Sequence, residues 1–320
     1  MKKILKWFIP KTFVLLLVKM IVGRDRTVHE NIKPPSLPDD LDLYLKTSEQ
    51  AIPDLRKGTE KTIVWANSET RQPTEFSIVY LHGFSASRRE ISPVCDLLAE
   101  KLNANLFYTR LTGHGRSNEA MAEIHVSALL QDAMEAMSIA TRLGRQVILV
   151  GTSTGATLAS WLVNGEHKNS IKSLILISPN FGLKQWQSEL LLLPWAETLL
   201  KFMQGPVYRF EPKNEAQAYY WTTEYPSCAL IPMVQLIQRV RDTALPHITT
   251  PVLVLYSSQD QIVDAMAIEK QFKRIPASVK KIKEIKIAKG NQPHVIAGDI
   301  LSPETTQRVF REILSFIDGL

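Results

Sequence analysis

Short runs of apolar, often β-branched residues recur at 76–81, 105–110, 146–150, 173–178 and 251–256, and their length and composition predict buried strands. Weaker runs at 62–65 and 283–288 read as strands of the same kind. Between them apolar side chains return at helical spacing, over 89–102, 126–143 and 156–163, and a further helix is expected over 41–51. Strands that alternate with helices call for a largely parallel sheet with helices on both faces, an α/β architecture. No fixed-period repeat or low-complexity tract interrupts the pattern.

One junction in this pattern is chemically distinctive. The apolar run at 146–150 meets the helical run at 156–163 through Gly151-Thr152-Ser153-Thr154-Gly155, so this pentapeptide must be a sharp strand-to-helix turn. The G-x-S-x-G spacing between a strand and a helix is that of a nucleophile elbow. A serine in such a turn projects its hydroxyl beyond the sheet, and Gly151 and Gly155 let neighbouring backbone pass without a Cβ clash. The free N–H groups and positive dipole end of the following helix favour an anionic intermediate there. Ser153 is the candidate nucleophile.

A serine hydroxyl needs a base to take its proton, and the base works best when an acid fixes its tautomer. With an elbow of this kind the acid and base follow later in the chain, in the order Ser, Asp or Glu, His. Asp260 follows the strand ending at Tyr256, and His294 follows the strand at 283–288, so both fall on loops at strand carboxyl ends, where ligands gather in open parallel sheets. Asp260 also suits a helix N-cap, a role compatible with the first. Asp264 is the rival acid, one helical turn on and expected to point away from the base. His114, between glycines in Gly113-His114-Gly115-Arg116-Ser117, and His82, before Gly83, read as structural groups beside the site; Gly83 would let the backbone turn close to a ligand. The oxyanion donors expected are the backbone N–H groups of Thr154 and of Phe84.

Between the strands at 173–178 and 251–256 lies a stretch too long for one crossover helix. Its aromatic residues include Trp186, Trp195, Phe202, Phe210, Trp221 and Tyr225, with leucines at 190–193. An insertion of that composition over about 181–247 fits a cap with an apolar underside. An ordinary packed subdomain or a dimer surface is the alternative.

Composition narrows the partners. With 320 residues and 45% hydrophobic content the chain can bury one large core or two modest ones. The net charge of +6 is carried by scattered lysines and arginines without a nucleic-acid module signature, so no nucleic acid is expected, and a membrane surface is the anionic partner that fits. The two cysteines, Cys95 and Cys228, stand far apart without metal-ligand or redox spacing, so neither a disulfide scaffold nor a metal site is expected.

The first 22 residues set lysines among bulky apolar side chains, with Lys2, Lys3 and Lys6 leading into Trp7-Phe8-Ile9, and Lys11 and Lys19 bracketing a second apolar run. A spanning helix needs about 20 apolar residues in succession, and this stretch falls short unless the lysines snorkel. An interfacial amphipathic helix or weak signal-anchor fits, which would localise the protein to a membrane through residues 1–22. A cleaved signal peptide competes, although no small-x-small cleavage site stands out. Residues 23–60, polar and proline-bearing, read as a connector, and 61–320 as the catalytic domain carrying the cap.

Taken together, Leu81-His82-Gly83-Phe84, Gly113-His114-Gly115-Arg116-Ser117, Gly151-Thr152-Ser153-Thr154-Gly155, Asp260 with Val263, and His294 make the chain resemble an α/β-hydrolase over roughly residues 60–320. Within that fold it is most similar to the monoacylglycerol lipase, lysophospholipase and serine aminopeptidase group. Two positions depart from the group's usual pattern: Thr154 stands where a larger residue is frequent, and Ser257 where a glycine is common. The resemblance implies hydrolysis through an acyl-enzyme without metal or organic cofactor, with Ser153 attacking, His294 relaying the proton and Asp260 orienting His294. The substrate class implied is a small acyl ester or lipid such as a monoacylglycerol or lysophospholipid. A peptidase or amidase is the alternative enzyme, for which Glu189, Glu197 or Glu215 could meet a substrate amine; a non-catalytic binding protein of the same fold is the alternative outside enzymes.

Overall fold

The apolar runs assemble into a seven-stranded sheet in a computed structural model, which describes residues 32–288 and 293–320. In chain order the first half comprises α1 (Leu41–Gln50), β1 (Thr62–Val64), β2 (Thr74–Leu81), α2 (Val94–Leu102), β3 (Asn105–Tyr108), α3 (Val126–Leu143), β4 (Gly144–Thr152), α4 (Thr154–Leu162) and β5 (Ile171–Ile177). The second half comprises α5 (Ala196–Gln204), β6 (Val207–Arg209), α6 (Glu215–Tyr220), β7 (Glu224–Pro226), α7 (Leu230–Thr243), β8 (Val252–Tyr256), α8 (Ala265–Arg274), β9 (Lys280–Glu284) and α9 (Pro303–Asp318). The main sheet has the order β1-β3-β2-β4-β5-β8-β9. Only β1, at one edge, is antiparallel to its neighbour.

The strands lack the usual apolar-polar alternation because both faces are covered. Val79, Leu81, Val147, Leu149, Leu174, Leu176, Val252 and Val254 point into a core shared with α1, α3, α4 and α7. Ile78, Tyr80, Ile148, Val150, Ile175, Ile177, Leu253 and Leu255 point the other way, onto α2 and α9. Each such side chain contributes about 1.5–3 kcal/mol of transfer free energy. The central strands are thereby fixed in register, and so are the loops at their carboxyl ends.

Most element ends shift by one or two residues from expectation, and two elements differ by more. Helix α2 starts at Val94 rather than at residue 89, because Pro93 supplies no N–H and disfavours helical backbone at Ser92. Strand β9 occupies Lys280–Glu284 rather than 283–288. Its ladder runs from Val252↔Lys280 to Tyr256↔Glu284 and stops where β8 stops; Ile285, whose N–H donates to Tyr256 O at 2.7 Å, and Ile287 are buried beyond it.

The inserted stretch forms its own small unit, with α5, α6, α7 and the two-stranded β6-β7 ribbon. Leu191, Leu192, Ala196, Leu200, Met233, Val234 and Ile237 make its apolar interior, and Phe84 packs against it. The aromatic residues divide between two environments. Trp221 and Tyr225 are buried, Trp221 beside Ala86 and Val295, whereas Trp195 and Phe202 face outward, Phe202 at 90% exposure.

The residues preceding the sheet are tightly bound to it. Arg110, after β3, forms a bidentate ion pair with Glu49 of α1 at 2.7 and 2.9 Å, both side chains being buried. Arg56 donates its backbone N–H to Gly115 O (2.8 Å) and its guanidinium to the carbonyls of Tyr219 and Trp221 in the inserted unit. Among the described residues no helix is long and apolar enough to cross a membrane. The expected membrane segment at 1–22 lies outside the described residues.

Candidate active site

The elbow forms where β4 ends and α4 begins. Ser153 has φ +52° and ψ −115°, backbone that a side-chain-bearing residue rarely adopts and that costs on the order of 1–3 kcal/mol. Its N–H bonds to Ile177 O (2.9 Å) and its carbonyl accepts from Asn180 N (3.1 Å), so both neighbours of the turn are held by β5 and its loop. A Cβ on Gly155 would lie 2.0 Å from Leu81 O, and one on Gly151 would meet Gly155 O at 2.5 Å. Both glycines are therefore required by close approach of backbone to backbone.

Two loops bring the partners. Asp260 is fully buried after β8, where its Oδ1 accepts from the N–H groups of Ile262 (2.7 Å) and Val263 (3.0 Å). Its Oδ2 remains for His294 and lies 2.7 Å from Nδ1, which donates to it. The other ring nitrogen, Nε2, is 3.1 Å from Ser153 Oγ, at the distance needed to accept the hydroxyl proton. Ser178 donates its hydroxyl to the His294 carbonyl at 2.7 Å, anchoring the histidine's backbone to the end of β5. Burial pulls the His294 pKa down, but the Asp260 carboxylate, through its charge and hydrogen bond, and Glu90 outweigh burial and leave it above the ordinary histidine value.

The rival groups fall elsewhere. Asp264 caps α8, accepting from Met266 N at 3.0 Å. His82 donates from Nδ1 to Gly83 O (2.9 Å) and accepts from Leu111 N (3.1 Å); His114 donates from Nδ1 to Thr112 O and accepts from Ser85 N, each at 2.9 Å. Both imidazoles tie the loop after β2 to the loop after β3. Burial is the main cause holding them neutral, with His114 pushed down to about 4 and His82 well below its ordinary value.

The Thr154 N–H opens α4, among the donors a helix leaves without an intrahelical acceptor. Phe84 follows Gly83 in the turn after β2, and its ring packs edge-on against His114 and Tyr225, each 5.5 Å away between centroids. Ser85, at φ +64°, is held from both sides, since its carbonyl also accepts from Thr222 N of the inserted unit at 2.7 Å. A Cβ on Gly83 would meet Glu90 Oε1 at 2.7 Å, so the group its missing side chain admits is a buried carboxylate.

Glu90, Ser178 and Thr222 are the site neighbours that sequence reasoning missed. Glu90 follows Arg88-Arg89 and has the look of a solvated charge at a helix start. The other two act through contacts between distant segments, and no motif marks them. Among the described residues no group of three or more His, Cys, Asp or Glu could hold a metal ion.

A largely parallel sheet with helices on both faces, a serine on a strained strand-to-helix turn, and a histidine and an aspartate from later strand-end loops make up the α/β-hydrolase fold, which this chain has. The sequence model of the family described as serine aminopeptidase, S33, matches residues 72–229. The chain is 27% identical over 221 residues to a pimeloyl-acyl-carrier-protein methyl ester esterase of Vibrio vulnificus, a match covering 63% of this chain and 82% of that protein. Its fold is similar to that of one of the two metagenome-derived lipolytic enzymes LipS and LipT (TM-score 0.68, 18% identity, covering 83% of this chain and 100% of that one). It is also similar to the monoacylglycerol lipase of Paleococcus ferrophilus (TM-score 0.59, 15% identity, covering 81% of this chain and 98% of that one).

Proposed function

We propose that the protein is a serine hydrolase that cleaves carboxylic esters through an acyl-enzyme. The observation that carries this reading is the continuous Ser153–His294–Asp260 contact, 3.1 Å at the hydroxyl and 2.7 Å at the carboxylate. In this mechanism Ser153 Oγ attacks the acyl carbonyl carbon as His294 Nε2 takes the hydroxyl proton. The carbonyl oxygen becomes an oxyanion, received by the N–H groups of Thr154 and Phe84. The C–O bond to the leaving alcohol breaks, and His294 returns the proton to that alcohol. Water, deprotonated by His294, then attacks the acyl-serine ester and releases the acid and Ser153. Asp260 keeps the imidazole in the tautomer that presents an unprotonated Nε2 to the serine.

A monoacylglycerol, lysophospholipid or similar acyl ester is the proposed substrate. The apolar interior of the inserted unit, which begins at the Phe84 side chain, supports an acyl chain, and the names of the esterase and lipase relatives point the same way. A peptidase reading is favoured only by the description of the matching family. Of its three candidate acids, Glu189 is engaged with Arg241 at 2.9 Å and Glu197 with Lys201 at 2.8 Å, and Glu215 is an exposed residue in the first turn of α6. Association with a membrane surface is part of the proposal, supported by the basic and apolar sequence of residues 1–22 and the outward-facing Trp195 and Phe202.

The test is covalent labelling with a fluorophosphonate probe mapped by peptide mass spectrometry, followed by acyl esters of graded chain length beside aminoacyl amides. Labelling at Ser153 with preferential ester turnover supports the proposal. Absence of labelling, with lipid or detergent supplied, leaves a non-catalytic binding protein as the reading.

A further inference from the structure

The site contains a second buried acid with no part in the three-residue contact. Glu90 lies in the segment between β2 and α2 and is 2% exposed. Its Oε2 accepts from Gly83 N at 2.7 Å and from the Tyr80 hydroxyl at 2.8 Å. The Tyr80 oxygen is also 3.0 Å from Thr152 Oγ1; having given its only proton to Glu90, it accepts from the threonine there. A directed chain of donation therefore runs from Thr152, the residue before the elbow serine, through Tyr80 into the Glu90 carboxylate. The other bond fixes the Gly83 peptide, immediately before the Phe84 N–H. On its far side the Glu90 backbone packs against Gly298, and Ser92 O accepts from Asp299 N at 2.8 Å, so the same segment abuts the loop that carries His294.

We infer that Glu90 is a positioning residue of the active site: its carboxylate holds the oxyanion loop at Gly83, ties that loop to the elbow through Tyr80, and places a second acid beside the loop that carries His294. A glutamate is otherwise difficult to account for there, since burying a carboxylate is costly unless donors receive it. Both donors it receives, Gly83 N–H and the Tyr80 hydroxyl, come from β2 and the loop after it, which is proposed to provide the oxyanion hole, and Tyr80 in turn contacts Thr152 of the elbow strand. Among the described residues the charged and titratable groups acting on His294 are Asp260 from the loop after β8 and Glu90, and those acting on Glu90 are Tyr80 from β2 and His294. Arg89 and Asp299, beside them, pair with each other at 3.3 Å. Burial raises the Glu90 pKa while the Gly83 and Tyr80 donors and His294 oppose it, and Glu90 in turn raises that of His294.

The inference rests on the proposed hydrolase reading for its catalytic meaning, so the experiment reads the two separately. The His294 ring is titrated by NMR in the full chain as wild type, Glu90→Gln and Tyr80→Phe, and the rate of fluorophosphonate labelling at Ser153 is measured on the same samples. Glu90→Gln retains size and an acceptor oxygen but removes the charge. The expected result is a His294 midpoint lowered by roughly half a unit to one unit, with slower labelling at every pH. Tyr80→Phe, which withdraws one donor from the carboxylate, should move the midpoint in the same direction by less. A merely structural Glu90 would slow labelling and leave the midpoint in place, and that outcome overturns the inference. If Glu90→Gln does not fold, an unmoved midpoint in Tyr80→Phe overturns it equally. Failure of the wild type to label counts against the hydrolase reading alone, because the ring titration needs no turnover.

Discussion

His294 Nε2 lies 3.1 Å from Ser153 Oγ although 141 positions separate the two residues in sequence. The contact is made by two loops projecting from the same end of the sheet, so it survives only while the register of the central strands does. Ser153→Ala and His294→Ala should each leave the fold intact and lower ester turnover by a factor of about 10⁴ or more. Combining them should cost little more than either alone, because the two act as a unit. Kinetics on purified variants with matched melting temperatures checks this; additive losses would count against a shared mechanism.

The direction of the His294 shift sets a pH dependence. The base must be neutral, so kcat/KM should rise as pH climbs through a midpoint above the ordinary histidine value of about 6.5. Stability runs the opposite way. A histidine pKa raised on folding stabilises fully below the unfolded value, and that contribution fades as pH rises through the folded value. A pH series of activity and denaturant melts should show the two trends crossing for the wild type, and His294→Ala should remove the corresponding part of the melting trend.

Asp260 and Asp264 are four positions apart and do different work, which a matched pair of variants can separate. Asp260→Asn should lower kcat by about 10⁴, since an amide facing Nδ1 favours the wrong tautomer. Asp264→Asn should leave turnover unchanged, because asparagine also caps helices, and Asp264→Ala should cost about 1 kcal/mol of stability without touching kcat. Equal losses of activity from Asp260→Asn and Asp264→Asn would mean the acid has been misassigned.

Much of this was legible in the chain because apolar runs and turn chemistry are local signals. Helix 126–143 and the presence of the strand before the elbow follow from periodicity and glycine placement, although that strand runs two residues further at each end than the 146–150 expected, and the order Ser153, Asp260, His294 follows from strand-end loops. What was not legible depends on distant partners. The limits of β9 are set by the length of β8, and Phe202 faces outward while Trp221 is buried although both are aromatic residues of one insertion. Glu90 reads as a surface charge until Gly83, Tyr80 and the His294 loop close around it.

The outward face of α5 offers a separate test of membrane association. Phe202 at 90% exposure and Trp195 at 54% face outward at α5, beside the exposed Met203, on a unit whose interior is closed by Leu191, Leu192, Leu200 and Met233. Aromatic side chains are favoured at the headgroup level of a bilayer. Changing both to serine in the full chain should reduce co-flotation with anionic vesicles several-fold while leaving hydrolysis of a short, water-soluble ester unchanged. Flotation unaffected by the change would leave residues 1–22 as the sole proposed contact.

The Glu49–Arg110 pair bears on whether the residues before the sheet are a spacer or part of the fold. Both side chains are 6% exposed, and Arg110 also reaches the His114 carbonyl at 3.5 Å, in the loop that steadies Ser85. Removing one partner of a buried pair leaves the other charge uncompensated, so Glu49→Ala should cost about 3–5 kcal/mol. By contrast the Glu75–Arg145 pair is exposed on both sides, and Glu75→Ala should cost no more than about 1 kcal/mol. Glu49→Ala should also slow ester turnover in the fraction that remains folded, because the His114 loop loses its support, whereas Glu75→Ala should not. Denaturant titrations paired with active-site labelling give both quantities from one sample, and a Glu49 variant as stable and as active as the wild type would make the preceding segment a spacer after all.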